Sequence, residues 1–307
     1  MPQTQKQKNI LLTGGAQGIG RATARHLLSQ PANHKVYILD IGAEELQYCA
    51  ETHLAAYAPR IGYSVANLRK VEEIRSAVKK AADFFDGRID VLISNAGIAR
   101  PYFNSGTMED ESTADEWQAY VETNLSGPFY VSQACLPYMK AQASTQPEQS
   151  DEQRHGVEKL EEGGCVIHVS SFRAHMSDAN CEGYGATKSG LGGLTQAMAV
   201  SGQQWGIRCN MVSPGTVKVG QESRQADERA KELAGGDIKG APHEEQWEKW
   251  RNAVWDETRG EEYDQAHPTG RVGRGEDIAE AVEYLMGAGF VSGQEIIVDG
   301  GKSKKKG

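Results

Sequence analysis

A tyrosine and a lysine stand four residues apart in the stretch YGATK, where Tyr184 and Lys188 open a helix-like segment. At this spacing two helical side chains lie on one face, one turn apart. A free phenol, with a pKa of about 10, is a poor base at neutral pH, and a nearby ammonium lowers that pKa. The pair therefore predicts proton transfer to or from an oxygen. Taken alone, it is equally typical of an exposed tyrosine beside a solvated lysine.

Two serines, Ser170 and Ser171, stand at the end of an apolar run of strand length that we assign to Val166–Ser170. Parallel strands present their carboxyl ends to the ligand crevice of a sheet. We therefore expect one hydroxyl of the Ser170-Ser171 pair, which ends 13 residues before Tyr184, to reach a substrate oxygen. The alternative is that both serines are ordinary loop or capping residues.

A glycine-rich turn, TGGAQGIG, lies between the first strand-like run and the first helix-like run. Glycines there permit a tight turn and let the backbone approach a pyrophosphate, which then sits at the positive end of the helix. Such turns often do no more than reverse the chain, but this one has the strand-before, helix-after position of a dinucleotide site.

Asp40 closes the second strand-like run, 20 residues after Gly20. A carboxylate there accepts hydrogen bonds from ribose hydroxyls and repels a 2′-phosphate. The turn before Gly20 contains no Arg or Lys, and Ile41 follows Asp40, so the sequence favours NAD over NADP. Helix capping is the alternative role for Asp40, and Arg21 is the residue that would reverse the cofactor preference.

Short apolar runs alternate with longer amphipathic ones, which indicates βαβ units and a parallel sheet with helices on both faces. The predicted strands are Asn9–Thr13, Val36–Asp40, Ile61–Val65, Val91–Asn95, Val166–Ser170, Arg208–Val212 and Glu295–Val298. The predicted helices are Gly18–Ser29, Leu68–Phe85, Ala114–Lys140, Tyr184–Gln204 and Glu276–Met286. The fold class is α/β, a doubly wound, Rossmann-like sheet in a single domain.

That domain is expected to span residues 9–301, between a flexible N-terminus (1–8) and a basic, disordered tail (302–307). Residues 142–164 are polar and predict a surface insertion. Residues 218–268 form too long a gap for a plain loop and predict a helical substrate lid.

The predicted lid contains three tryptophans, and Trp247 and Trp250 share one helical face by their spacing. Packing of the lid on the body explains this aromatic stripe. If the stripe, with Trp255, faces the site instead, the substrate is bulky and apolar.

Composition excludes several classes of function. A net charge of −9 argues against nucleic-acid or anionic-membrane binding. No apolar window is long enough for a membrane span, and the N-terminal residues do not resemble a secretion signal. Five scattered cysteines without a CxxC pair fit reduced thiols in the cytoplasm and predict no metal site.

Read in order, the motifs resemble those of the short-chain dehydrogenase/reductase family, in its ordinary, non-extended branch. The resemblance covers residues 9–301 and rests on TGGAQGIG, Asp40, SNAG (94–97), Asn124, Ser171, YGATK, SPG (213–215) and VDGG (298–301).

The resemblance implies a role for each of four side chains. Tyr184 exchanges a proton with the substrate oxygen, and Ser171 holds that oxygen by a hydrogen bond. Lys188 lowers the Tyr184 pKa and binds the nicotinamide ribose. Asn124 supports a water that connects Lys188 to solvent.

The family also implies a set of cofactor-binding residues. These are Gly14, Gln17, Gly18, Ile19, Gly20, Asp40, Asn67, Leu68, Asn95, Ala96, Gly97, Tyr184, Lys188, Pro214, Gly215 and Val217. Asn67 replaces a frequent Asp, and Val219 replaces a Thr that often reaches the cofactor. Arg173, His175 and Met176 are candidate pocket residues.

Together these features predict an enzyme that transfers a hydride between NAD(H) and a small-molecule secondary alcohol or ketone. By resemblance we also expect a homotetramer built through the helices that contain Asn124 and Tyr184. Two alternatives stay open: a catalytically silent NAD-binding protein, and an NAD-using enzyme with a non-redox outcome.

Overall fold

The computed structural model describes residues 6–99, 107–140, 163–220, 222–233 and 264–305. Seven strands form one parallel sheet in the order β3-β2-β1-β4-β5-β6-β7. Their bounds are β1 Asn9–Thr13, β2 Lys35–Asp40, β3 Ile61–Val65, β4 Val91–Ser94, β5 Cys165–Val169, β6 Arg208–Pro214 and β7 Glu295–Val298. Because the order reverses at β1, the carboxyl ends of β1 and β4 flank a crevice of the kind that binds ligands in α/β proteins.

Both faces of the central strands are covered, which is why these strands are almost continuously apolar. Leu12 of β1 and Ile167 of β5 belong to the core on one face. Leu11 and Val166, their neighbours in sequence, belong to the core on the other face. The predicted doubly wound α/β fold is therefore confirmed.

Eight α-helices cover the two faces in the described part of the chain. They are α1 Gly18–Ser29, α2 Ala43–Tyr48, α3 Val71–Phe84, α4 Ala114–Tyr120, α5 Gly127–Met139, α6 Glu182–Ser201, α7 Arg224–Leu233 and α8 Gly275–Gly287. Helix α2 was not predicted, because its short sequence AEELQY contains one buried residue, Leu46, and so no apolar stripe.

The prediction of one helix over Ala114–Lys140 was wrong. Helix α4 passes into a π-helical turn over Val121–Ser126, and α5 begins after it. Pro128 lies in the first turn of α5. Proline has no N–H to donate and its ring clashes with the carbonyl four residues earlier, so a regular helix does not continue through this point.

The other boundaries differ by a few residues. The strand predicted as Val166–Ser170 starts and ends one residue earlier, the strand predicted as Val91–Asn95 ends at Ser94, and β6 continues to Pro214. Helix α3 begins at Val71 instead of Leu68, because the Asn67 carbonyl accepts from Lys70 N in a turn. Helix α6 spans Glu182–Ser201 rather than Tyr184–Gln204 and is followed by a 3₁₀ turn at Gly202–Trp205.

Several predictions lie outside the described residues. These concern the three tryptophans at 247, 250 and 255, and nearly all of the 142–164 insertion. Within the described ranges, none of the helices combines the length and apolarity that a bilayer crossing requires. All five cysteines are buried, and none forms a disulfide.

Candidate active site

The glycine turn after β1 is built so tightly that side chains would not fit. Gly14 has φ +67°, and a Cβ there would lie 2.6 Å from the Cα of Ala96. A Cβ on Gly20 would lie 2.0 Å from the carbonyl oxygen of Gly14. The turn therefore presents bare backbone to the crevice, next to the N-terminus of α1, as an anionic pyrophosphate requires.

The carboxylate of Asp40 is held in place by the backbone around this turn. Its Oδ2 accepts from Ala16 N at 3.0 Å, and its Oδ1 accepts from Gly42 N at 3.1 Å. Each oxygen retains further acceptor capacity. A fixed carboxylate at the end of β2 is thus available to ribose hydroxyls.

A cavity of about 490 Å³ opens beside Asp40. Eight of its lining residues are predicted cofactor contacts, namely Gly14, Gln17, Asp40, Asn67, Leu68, Asn95, Ala96 and Gly97. A carboxylate, amide groups, apolar side chains and bare glycine backbone suit the ribose, adenine and phosphate groups of a dinucleotide. The residues present therefore fit such a cofactor. In the described ranges, no group of three or more His, Cys, Asp or Glu side chains is arranged to hold a metal ion.

Seven further lining residues were not predicted as cofactor contacts, and these are Leu39, Ile41, Ala66, Arg69, Ile98, Ala119 and Thr123. Arg69 is the most notable, because a cation in this cavity bears on cofactor choice. Its Nε donates to Glu122 Oε2 at 2.5 Å. Its position two residues after Asn67 was the available hint.

Arg21 is directed away from the cavity, into a buried group of charges. Its side chain is fully buried and contacts Glu222 Oε2 at 3.0 Å and Asp227 Oδ2 at 2.8 Å. Both carboxylates lie beyond β6, and we call the group Arg21, Arg25, His53, Glu222, Asp227 and Glu276 the ionic cluster. Arg21, the residue that would have reversed the preference for NAD, is therefore paired with these two carboxylates.

Asn124 lies in the π-helical turn and is fully buried. Its Oδ1 accepts from Ile98 N, and its Nδ2 donates to Ile98 O, both at 2.9 Å. A Cβ on Gly97 would lie 3.0 Å from Asn124 Oδ1 and 3.4 Å from Lys188 Nζ. Asn124 and Lys188 therefore lie directly behind the Gly97 wall of the cavity.

The Lys188 ammonium is buried, with 5% of the residue exposed, and it donates to the Val169 carbonyl at 2.9 Å. Ser170 Oγ donates to the Lys188 carbonyl at 2.8 Å, which ties α6 to the end of β5. In the described part of the chain no carboxylate forms an ion pair with this ammonium. Burial accordingly lowers the pKa of Lys188 to about 8.

Tyr184 lies in the first turn of α6, one turn before Lys188, and is half-buried. The Lys188 Nζ is 5.7 Å from the centre of its ring, and Tyr120 packs edge-on against the same ring. Ser171 lies two residues after the end of β5, and its Oγ accepts from Arg173 N at 3.2 Å. That Oγ still has its own proton to donate.

The remaining predicted residues are placed around this centre. Gly18 and Ile19 open α1, Pro214 ends β6, and Gly215 N donates to Val298 O at 2.8 Å. Val217 forms an isolated parallel bridge with Gly273.

The pocket candidates beyond Ser171 are engaged elsewhere or exposed. Arg173 forms an ion pair with Asp178, and His175 Nε2 lies 2.8 Å from Glu295 Oε1. Met176 is 41% exposed. These contacts favour packing and surface roles for Arg173 and His175.

Comparison with known proteins gives two family matches. Residues 8–146 match the model described as short chain dehydrogenase, and residues 149–247 match the one described as Enoyl-(Acyl carrier protein) reductase.

Individual relatives extend over the chain. L-rhamnose 1-dehydrogenase (NAD(P)(+)) of Azotobacter vinelandii is 30% identical over 96% of each chain. Trans-4-hydroxycyclohexanecarboxylate dehydrogenase of Sinomonas cyclohexanicum is 33% identical over 69% of this chain and 73% of its own. The crystal structure of levodione reductase superimposes with a TM-score of 0.72 at 26% identity, covering 98% of this chain and 100% of that one. With its glycine turn, buried lysine and parallel sheet, this chain belongs to the short-chain dehydrogenase/reductase family of oxidoreductases.

Proposed function

We propose that this protein is an NAD-dependent dehydrogenase that interconverts a secondary alcohol and a ketone. The observation that carries the proposal is the buried Lys188 ammonium behind Gly97, one helical turn from Tyr184. A buried cation without a carboxylate partner is costly to a fold. It is explained if the charge acts on a neighbouring phenol and on a bound ligand.

A bound nicotinamide would supply or accept the hydride, while the chain's own residues transfer the proton. Tyr184 exchanges its hydroxyl proton with the substrate oxygen, and the Lys188 charge favours the phenolate form. Ser171 donates its hydroxyl proton in a hydrogen bond to the same oxygen. The Lys188 ammonium donates to the Val169 carbonyl, and Asn124 is held beside it by the Ile98 backbone. The position of the ammonium is therefore fixed during proton transfer.

NAD is proposed over NADP for electrostatic reasons. The Asp40 carboxylate would lie against a 2′-phosphate and repel it, while Arg21 is held by Glu222 and Asp227. Arg69, the cation that does line the cavity, is paired with Glu122. Titration with NAD and NADP tests this: we expect NAD to bind at least about tenfold more tightly. Equal or tighter binding of NADP would contradict it.

Replacing Tyr184 by Phe tests the catalytic assignment. Loss of the proton donor should reduce turnover by about 10²- to 10⁴-fold, the range typical of general acid–base groups, while the Kd for NAD stays close to that of the wild type. Turnover is followed at the nicotinamide absorbance band across a panel of secondary alcohols and ketones.

The control is Tyr130→Phe, which removes a hydroxyl from α5 and should leave turnover unchanged. Full activity of the Tyr184→Phe protein would refute the assignment. A wild-type protein that binds NAD but turns over none of the panel would favour the silent or non-redox alternatives.

Two finer features belong to the same proposal. Relatives that act on a hydroxylated cyclohexane carboxylate and on a sugar make ring-borne hydroxyl groups the first substrates to test. A homotetramer through α5 and α6 is proposed from the family resemblance, and Phe129 and Val200 are exposed on these helices. Light scattering of the purified protein checks the assembly. A cytoplasmic location stays a prediction.

A further inference from the structure

One buried carboxylate joins two turns of α1 to the chain beyond β6. Glu222 lies in the segment that we call the post-β6 segment, residues 215–220 and 222–233, and it is 1% exposed. It accepts from Arg21 Nε at 3.0 Å and from Arg25 Nη1 and Nη2 at 2.7 Å each. Since the two arginines are one helical turn apart on α1, a single side chain fixes the segment against this helix.

Asp227 supplies a second attachment of the same segment. It accepts from Arg21 Nη1 at 2.8 Å and from Tyr48 Oη at 3.2 Å, and it lies 3.2 Å from His53 Nδ1. Burial and the charge of Arg21 lower the pKa of His53 to about 4. A neutral imidazole that carries its proton on Nδ1 donates to Asp227, and its Nε2 accepts from Arg25 at 3.3 Å.

The backbone of Glu222 contacts the glycine turn itself. Its carbonyl accepts from Gly18 N at 2.8 Å, and its own N–H donates to Val219 O at 2.9 Å. The Val219 methyl carbon lies 3.7 Å from the place that a Cβ on Gly18 would take. The residue that pairs with both arginines therefore also places Val219 against the N-terminus of α1.

The beginning of the post-β6 segment is fixed independently of these charges. Lys218 N donates to Gly273 O at 3.0 Å, and Gly273 N donates to Thr216 O at 3.0 Å. Arg25 in turn reaches Glu276 of α8 at 2.5 Å. Thr216 and Lys218 are thus held by Gly273, and the Glu222 N–H donates to Val219 O, so a displacement of Glu222 shifts the wall beside the glycine turn.

We propose that Glu222 is a positioning residue for the cofactor. It sets the distance between the post-β6 segment and the glycine turn, and thereby the affinity for the dinucleotide pyrophosphate at that turn. This inference rests on the proposed function, because it presumes that a dinucleotide binds there. It assigns Glu222 no contact with the substrate.

The test is Glu222→Gln, which keeps the shape of the side chain and removes its charge. Calorimetric titration with NAD, below the unfolding temperature of each protein, should show a Kd raised about tenfold or more. The kcat at saturating NAD should stay within about twofold of the wild type, because the reacting groups are untouched. Hydrogen exchange at the Gly18 amide should accelerate.

Glu276→Gln is the matched control. It removes another carboxylate partner of Arg25, one that lies on α8 and is 36% exposed. We expect its Kd for NAD to stay within about twofold of the wild type. Glu222→Asp, which keeps the charge but shortens the reach, is the second variant if Glu222→Gln does not fold, and it should raise the Kd by a smaller factor.

A wild-type Kd in a folded Glu222 variant, or an equal loss of affinity in Glu276→Gln, would overturn the inference while leaving the proposed function in place. Wild-type protein that binds neither NAD nor NADP would overturn both.

Discussion

Lys188 and the Arg21–Arg25 pair are both buried cations at the carboxyl-end side of the sheet, and their surroundings differ. Burial disfavours the charge of Arg25, but Glu222 and Glu276 more than offset this, so that the pKa of Arg25 rises. Lys188 donates to the Val169 carbonyl and, among the residues that the structure describes, pairs with no carboxylate, and burial lowers its pKa to about 8. The paired charges attach one segment to another, whereas the unpaired charge stays available to a ligand and to the neighbouring phenol.

The largest expected effect comes from removing one of the paired arginines. Arg25→Met leaves Glu222 buried with Arg21 as its remaining guanidinium partner. Because an incompletely compensated buried charge results, we expect a loss of about 3–5 kcal/mol in the free energy of unfolding, measured by denaturant titration. Arg75→Met, in an exposed pair with Glu72 on α3, should cost less than about 1 kcal/mol. Equal losses in the two variants would contradict the distinction.

For Lys188, the expected effect is a dependence of the free energy of unfolding on pH. Below pH 8, Lys188 is protonated in both the folded and the unfolded chain. Between about 8 and the ordinary 10.5, the unfolded chain binds the extra proton, so wild-type stability rises relative to Lys188→Met as pH increases. The full rise corresponds to about 3 kcal/mol.

Denaturant titrations of both proteins between pH 7.5 and 10.5 measure this difference. Lys79→Met is the control, because Asp83 raises the pKa of exposed Lys79 and the relative change therefore has the opposite sign. A flat difference between wild type and Lys188→Met would show that the buried ammonium carries no such cost.

The smallest expected effect concerns Glu276, at the partly exposed edge of the ionic cluster. Glu276 contacts the same arginine as Glu222 but is partly exposed. Water replaces much of what this carboxylate provides, so Glu276→Gln should change the free energy of unfolding by about 0–1 kcal/mol. A loss of unfolding free energy as large as that of Arg25→Met would mean that partly exposed Glu276 stabilises the fold as much as the buried members of the cluster do.

The sequence predicted the sheet well because local composition determines it. Strands β1 and β3 were placed at their observed bounds, since each is a compact run of strand-forming residues between turn residues. The glycine turn and Asp40 were found for the same reason, as their spacing along the chain reflects one βαβ unit. Helix α1 was likewise predicted from Gly18 to Ser29.

Other features depend on contacts that local composition does not encode. Arg21 looked like a possible phosphate ligand, but its carboxylate partners are 201 and 206 residues away along the chain. The π-helical turn around Asn124 has no periodicity of its own, although Pro128 hinted at a break. Arg69 lines the cavity because the chain turns after Asn67, and its closeness to Asn67 in sequence is only a weak indication of this position.

The five buried thiols give the molecule a set of native reporters. Cys49 lies beside the glycine turn, with its Sγ 3.5 Å from the Gly15 carbonyl, and Cys181 immediately precedes α6. Burial raises the pKa of Cys49 to about 12, which suppresses the thiolate that alkylating reagents attack. Mass-resolved maleimide labelling therefore follows local opening at each position without any introduced cysteine. Slower labelling of Cys49 on addition of NAD would show that the nucleotide half of the crevice opens less often. Labelling of Cys181 would report on the α6 half separately.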